Sequence, residues 1–143
     1  MAFKRKQGKT KFMWFNWDAS SGAIAAGSLM AMSGTTNYVA AATSTTAAEL
    51  IIGVLRHAIA TTDADYATDH LVEVEVPVEL NVVWEADVTA SLANTQIGVY
   101  MDLTDAATVN PAGTTYDIAL CTKYISTTKG EFVLNCGALA STV

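Results

Sequence analysis

The clearest pattern along the chain is an alternation of apolar and polar residues from position 72 to 86. The even positions are apolar, whereas the odd positions are polar or Pro apart from Val83. A period of two predicts a β-strand with one face in a core and an acidic face in solvent. Because the run exceeds the usual strand length of about 3–10 residues, we expect a bend, bulge or turn within it. Pro77 cannot donate to a β-ladder, so it should lie at an edge or bulge.

Residues 49–60 form an apolar segment that could be a buried strand or one face of a helix. Gly53 lies in the middle of the segment and β-branched residues are frequent, so we predict a strand. The preceding residues, 18–48, are rich in Ala, Ser, Thr and Gly, which predicts loops around short strands. Further strands are predicted at residues 97–103 and 116–126, on either side of a turn at residues 110–113.

The last predicted strand pair contains both cysteines of the chain. Residues 127–130 read as a hairpin loop that joins residues 116–126 to residues 131–135, and an even-numbered loop would place Cys121 opposite Cys136. This arrangement allows either a cross-strand disulfide or two small apolar residues packed together. For a protein made in a reducing cytosol we favour free thiols.

The first 17 residues combine basic and aromatic side chains. They contain five of the eight Lys and Arg residues and five of the twelve aromatic residues. A run of exposed rings is an aggregation hazard, so we expect another subunit to cover them, with the basic residues matched to an acidic surface. The predicted partner-binding residues are Lys4, Arg5, Lys6, Lys9, Lys11, Phe12, Trp14, Phe15 and Trp17.

Chain length and composition set the fold class. A length of 143 residues suits one domain, and a chain that is 51% hydrophobic and 15% charged predicts a packed domain with few surface charges. We therefore predict a mainly β protein, a compact antiparallel β-sandwich or barrel-like domain at residues 18–143. An extended N-terminal arm at residues 1–17 precedes this domain.

The uneven distribution of charge restricts the partners. The net charge is −6, yet the first 11 residues carry no acidic residue, so the body is strongly acidic and the N-terminal segment is basic. An acidic body is repelled by nucleic acid and by anionic lipid, which makes nucleic acid an unexpected partner. Polar residues interrupt the apolar stretch that could resemble a signal peptide, and no run approaches the length of a membrane span. We expect a protein made in the cytoplasm and not embedded in a membrane.

Candidate chemical groups are sparse. His57 and His70 have no spacing typical of a zinc or catalytic site, so we interpret them as structural or solvated. Asp63, Asp65 and Asp69 could supply oxygen ligands to calcium, but the segment lacks the Gly and distal Glu of a helix-loop-helix calcium loop. A solvated acidic loop is the favoured interpretation. We predict no enzymatic activity and no cofactor.

Several segments between residues 53 and 135 resemble the head decoration, or cement, proteins of tailed bacteriophages. The resemblance implies a compact β domain on the exterior of a virion capsid, bound to the major capsid protein and often trimeric, which clamps neighbouring capsid subunits. It also implies that the N-terminal arm could add a strand to the shell. The segments that carry the resemblance are residues 53–54, 60–66, 72–80, Trp84, 98–103 and 123–130.

Two other classes of function remain open from the sequence. The chain could be another virion or assembly component, such as a tail or head-completion subunit or a shell-lining protein whose basic arm contacts DNA. It could also be a ligand-binding β module or an enzyme, which would require a deep polar pocket with convergent titratable groups.

Overall fold

The fold is described from a computed structural model of residues 3–18, 22–33, 38–63, 70–89 and 91–135. Eleven β-strands and two short 3-10 helices, Ala48–Leu50 and Asn94–Gln96, account for the regular structure in these ranges. No helix within them is both long and apolar enough to cross a membrane. The strands are β1 (Lys4–Gln7), β2 (Thr10–Trp17), β3 (Leu29–Met32), β4 (Tyr38–Ala41), β5 (Ile51–Leu55), β6 (Leu71–Pro77), β7 (Val83–Val88), β8 (Tyr100–Asp105), β9 (Thr108–Asn110), β10 (Ala119–Ser126) and β11 (Lys129–Leu134).

The strands form two closed, five-stranded barrel-like sheets. The N-terminal barrel has the strand order β2-β4-β3-β5-β6, and the C-terminal barrel has the order β7-β9-β8-β10-β11. Strand β1 is added to the C-terminal barrel by antiparallel pairing with β7. Closure of each sheet leaves few unpaired strand edges. The predicted fold class, a mainly β and compact barrel-like domain, is confirmed.

The two barrels share one topology. In each, the first strand pairs in parallel with the third, β2 with β4 and β7 with β9, while the other neighbours are antiparallel. Each parallel contact is only two residue pairs long. The fold therefore repeats one five-stranded topology, which the sequence pattern did not indicate.

Two strands of the N-terminal barrel form the wall between the two cores. On β3, Met30 packs in the N-terminal core, whereas Leu29 and Ala31 pack in the C-terminal core. On β5, Ile52 faces the N-terminal core and Ile51 faces the C-terminal core. Strands buried on both faces have continuous apolar sequences, and this explains why residues 49–60 lacked a clear period of two.

The strand predicted at residues 49–60 is confirmed over Ile51–Leu55 as β5, and its glycine has a specific role. A Cβ atom at Gly53 would overlap the backbone carbonyl oxygen of Glu75 and would lie 3.1 Å from Cγ1 of Val74. Glycine within a strand often marks such a close approach of another backbone. Gly53 therefore allows β5 to pack tightly against β6.

The alternating run at residues 72–86 supplies a strand to each barrel. Strand β6 buries its valines in the N-terminal core, β7 buries Trp84 and Ala86 in the C-terminal core, and a turn separates the two strands. The predicted interruption is confirmed, and Pro77 is the last residue of β6. The prediction that Val78 and Leu80 face a core is wrong, because both lie in the turn and are exposed.

The predicted C-terminal hairpin is confirmed as β10 and β11, but its register differs from the prediction. Cys121 lies opposite Phe132, because the connecting loop has two residues and two irregularities shift the pairing. Cys121 is a buried free thiol. The predicted contact with Cys136 does not follow from this register, and Cys136 itself lies outside the described residues.

The N-terminal segment is extended and forms two strands that pair within the chain. Residues 4–7 form β1, which pairs with β7, and residues 10–17 form β2, which pairs with β4 and β6. Phe3 is buried in the C-terminal core. Strand β1 pairs with β7 alone, whereas β2 pairs with β6 along its length and with β4 only near its end, so the segment is part of both sheets.

Candidate partner-binding surface

Strand β2 places its aromatic side chains on two opposite faces. Trp17 is buried in the N-terminal core, and Met13 and Phe15 pack against that core. Phe12 and Trp14 point the other way, and 44% and 60% of their surfaces are exposed. Because side chains alternate along a strand, this arrangement divides the predicted cluster of rings into an inner and an outer set.

The inner rings leave little surface for a partner. Only 3% of Trp17 is exposed, and Phe15 is partly buried against the same core. The burial of Trp17 is contrary to its predicted role as an anchor for a partner, whereas the role predicted for Phe15 stays a prediction for the part of its ring that the core leaves uncovered. Phe12 and Trp14 remain as the exposed aromatic residues of β2.

The outer rings stand beside strand β6. In the β-ladder Phe12 lies opposite Glu75, and Trp14 lies opposite Glu73. Leu71, at the start of β6, is 51% exposed and lies opposite Asn16. We call Phe12, Trp14 and Leu71 the outer aromatic face.

Arg56, which follows β5, covers part of this face. Its guanidinium carbon lies 4.1 Å from the centroid of the Phe12 ring, which is a cation–π contact. Its Nε lies 3.4 Å from Oε1 of Glu73. The ion pair and the ring contact together hold Arg56 against β2, so Phe12 is partly shielded and Trp14 is the more accessible ring.

A cleft of about 360 Å³ opens beside Trp14. Its polar lining comes from two imidazoles and two carboxylates. Nε2 of His57 lies 3.6 Å from Oε1 of Glu73, and Nε2 of His70 lies 3.7 Å from Oδ2 of Asp63. The cleft is thus a short groove with an indole wall and a polar rim, which we call the Trp14 cleft.

The repeated topology provides a comparison for β2. Its counterpart in the C-terminal barrel is β7, which also directs a tryptophan, Trp84, inward. The outward positions of β7 include Glu85 and Asp87, and both form ion pairs with Lys129. The counterpart of β2 therefore carries charged residues on its outward face. The fold does not require exposed rings on the outward face of β2.

The basic residues of the segment fall into two groups. Arg5 donates from Nε to Oε2 of Glu75 at 2.6 Å, and Lys6 lies 3.6 Å from Oε2 of Glu85. Lys4, Lys9 and Lys11 are exposed and form no ion pair within the described part of the chain. Arg5 and Lys6 are therefore paired with carboxylates of the chain itself, and the predicted match to an acidic surface of a partner stays a prediction for Lys4, Lys9 and Lys11.

The histidines fit the sequence interpretation, whereas the aspartate loop is only partly described. His57 is solvent-exposed and His70 is partly buried beside Asp63. Asp63 accepts a hydrogen bond from the backbone N–H of Ala60 at 3.0 Å, and its own backbone N–H donates to the carbonyl of Ala60, so the two bonds close a turn at residues 60–63. Asp65 and Asp69 lie outside the described residues, and no group of three or more metal-ligating side chains occurs in the described ranges.

A buried carboxylate that the sequence did not single out organises the loop before β10. Asp102 on β8 accepts hydrogen bonds from the backbone N–H groups of Thr115, Tyr116 and Asp117 at 3.0, 2.7 and 3.1 Å. Gly113 packs so closely that a Cβ there would lie 2.8 Å from the side chain of Asp102. Asp102 therefore has a structural role as the acceptor for this loop.

Arg56, Leu71 and the rim of the Trp14 cleft were not predicted to join the aromatic segment. Sequence reasoning could have found them only from the pairing of β2 with β6, which brings together residues about 60 positions apart. The alternation of apolar residues at 13, 15 and 17 gives a weak signal for the inward face of β2.

Comparison with known proteins does not assign the chain to a group. No protein-family model matches the sequence, and no curated protein matches it significantly.

Proposed function

We propose that the chain is a structural virion protein that binds the surface of a capsid and stabilises the shell by clamping neighbouring capsid subunits. The observation that carries the proposal is the outer aromatic face, where Trp14 and Phe12 stand exposed on a closed and well-packed barrel. Large rings exposed on a rigid support are typical of interface hot spots. The proposed partner is the major capsid protein, and the chain acts without catalysis.

Two further features support an interaction role. The counterpart strand β7 carries charged residues outward, so the rings on β2 are not needed to form the barrel. The residues that resemble phage decoration proteins include β6 and part of the loop before it, and these elements border the Trp14 cleft. The proposal also includes two properties that the resemblance implies. The chain forms homo-oligomers, and it lies on the exterior of the capsid.

The proposal changes how the N-terminal segment acts. Because β1 and β2 are paired within the chain, the segment contributes a preformed surface and not a mobile strand. A preformed surface loses little conformational entropy on binding, since its backbone is already ordered. The clamp therefore works by rigid docking of β2 on the shell.

Sedimentation with capsid shells tests the proposal. Shells assembled from the major capsid protein of the same virus, without this chain, are mixed with the purified protein and pelleted. We expect saturable co-sedimentation and a rise in the temperature at which the shells disassemble. Saturable binding with no change in shell disassembly, or no binding at all, would contradict a stabilising role.

A DNA-facing subunit is the second candidate, because Lys4, Lys9 and Lys11 are exposed and unpaired in the described structure. Binding dominated by phosphate contacts weakens steeply between about 50 and 200 mM salt, whereas aromatic docking does not. Repeating the sedimentation across this salt range separates the two. The pairing of Arg5 with Glu75 and of Lys6 with Glu85 favours the capsid-binding alternative.

A further inference from the structure

The Trp14 cleft combines an exposed ring with carboxylates that are only partly used. Asp63 engages the backbone N–H of Ala60 and the imidazole of His70 through Oδ2. Glu73 engages Arg56 and His57 through Oε1. Within the described residues no donor reaches Oδ1 of Asp63 or Oε2 of Glu73. Among the described residues, each carboxylate therefore keeps one oxygen that is open to a donor from a ligand.

The charges around the cleft favour a cation. Asp63 and Glu73 carry two negative charges, and Arg56 supplies one positive charge that is committed to Glu73 and to the Phe12 ring. The two carboxylates and this guanidinium together leave one negative charge unbalanced. The face of an indole also attracts cations through its quadrupole, so the ring and the carboxylates select the same kind of ligand.

We propose that the Trp14 cleft binds an arginine side chain presented by a partner protein. The guanidinium group stacks on the Trp14 ring and donates hydrogen bonds to Oδ1 of Asp63 and Oε2 of Glu73. Arginine fits better than lysine, because a planar guanidinium can stack and donate in two directions at once, whereas an ammonium is a strongly hydrated point charge.

The identity of the partner rests on the proposed function, in which the arginine belongs to a loop of the capsid protein. The binding of an arginine side chain in the cleft does not depend on the identity of the partner. The chain is net acidic, so charge complementarity favours its association with a basic loop of the partner. Trp14 would be the central contact in this complex. Leu71, beside Trp14, would cover the aliphatic stem of the arginine.

Short peptides test the chemistry without a shell. Acetyl-Gly-Arg-Gly-amide and the matching citrulline peptide are titrated into nitrogen-15-labelled protein, and the indole N–H signal of Trp14 is followed after assignment with Trp14→Phe. Citrulline keeps the shape and loses the charge. We expect the arginine peptide to shift the Trp14 signal saturably and to bind about fivefold more tightly than the citrulline peptide.

Two variants locate the effect. Asp63→Asn removes the carboxylate charge from the cleft and should weaken arginine binding by about threefold or more. Glu131→Gln removes a charge from the other barrel and should leave binding within about twofold of wild type. Equal affinity for the two peptides, or an unchanged affinity in Asp63→Asn, would overturn the inference.

The outcomes for the cleft and for the proposed function can be separated. If Trp14→Ala loses shell binding while the peptides show no preference for arginine, the capsid proposal stands and the arginine inference fails. If the peptides show the preference but the wild-type chain does not bind shells, the arginine inference stands and the capsid proposal fails. If the arginine peptide dissociates a dimer of the chain, the occupant is a second copy and the assignment to a partner is wrong.

Discussion

The guanidinium group of Arg56 lies over the ring of Phe12, with 4.1 Å between the guanidinium carbon and the ring centroid. This contact joins the end of β5 to β2 across β6, three strands that are consecutive around the N-terminal barrel. Glu73 on the intervening β6 holds the other side of the guanidinium. One arginine therefore orders the outer aromatic face by a ring contact and an ion pair together.

A double-mutant cycle measures the ring contact. We expect Phe12→Leu and Arg56→Gln to show a coupling energy of about 0.5–1 kcal/mol in chemical denaturation, because the contact is largely exposed. The same cycle between Arg56→Gln and Lys123→Gln, a distant basic residue on β10, should give a coupling near zero. Equal coupling in both cycles would mean that the effect on Phe12 is a general effect of charge.

Replacing the two tryptophans of β2 separates the inner face from the outer. Trp17→Ala should lower the free energy of unfolding by about 3–5 kcal/mol, because it empties a buried site in the N-terminal core. Trp14→Ala should change it by about 0.5 kcal/mol or less, because most of that ring is in solvent. Urea titrations of the two variants check this. A large loss of stability in Trp14→Ala would mean that its ring serves the fold.

The close approach of β5 and β6 gives a prediction for Gly53. Gly53→Ala should destabilise the protein by about 2–3 kcal/mol, since the added methyl group would overlap the backbone of Glu75. Gly22→Ala is the matched control, because a Cβ there meets no atom within 4 Å, although its φ of +78° costs about 1 kcal/mol. Thermal unfolding of both variants provides the comparison. A smaller loss in Gly53→Ala than in Gly22→Ala would contradict the packing described here.

Burial raises the pKa of the Cys121 thiol above its ordinary value of 9.0, and a smaller contribution from a backbone hydrogen bond with Lys123 opposes the rise. Since the unfolded thiol ionises at lower pH than the folded one, Cys121 favours the folded state below pH 9 and this contribution is lost as the pH rises further. In a Cys136→Ser background, the loss of stability above pH 9 should be smaller when Cys121 is also replaced by Ala.

Alkylation of Cys121 checks the same environment directly. In the Cys136→Ser background at neutral pH, iodoacetamide should label Cys121 at the rate of global unfolding, because the thiol is buried and protonated. Denaturant should accelerate the reaction strongly. Rapid labelling of the native protein, at the rate of a free thiol in solution, would contradict the buried position on β10.

Local sequence patterns predicted the strands but not how far the turns would interrupt them. The valines of β6 and the core residues of β7 follow the period of two, because each strand has one buried face. Val78 and Leu80 continue the same period into the turn, where no core faces them. A pattern in the sequence therefore fixes which face a strand buries but not where the strand ends.

Long-range pairing accounts for what the sequence could not supply. Nothing in residues 1–17 indicates that β1 joins one barrel and β2 the other, because that choice depends on complementary positions on β6 and β7. The same limit applies to Cys121, whose partner across the hairpin changed when the register shifted. The candidate site was predicted in part: Phe12 and Trp14 are exposed, but the cleft that borders them exists only because β6 lies beside β2.

The central claim is that the outer aromatic face makes the contact with the shell, and binding measured for paired variants tests it most directly. Phe12→Ala combined with Trp14→Ala is compared with Leu80→Ala combined with Ile97→Ala, which removes two exposed apolar side chains elsewhere. The account predicts that the first pair weakens binding to capsid shells by about 30-fold or more, as expected when hot-spot residues are lost, and that the second changes it by less than about threefold. Equal affinities for the two double variants would contradict the account.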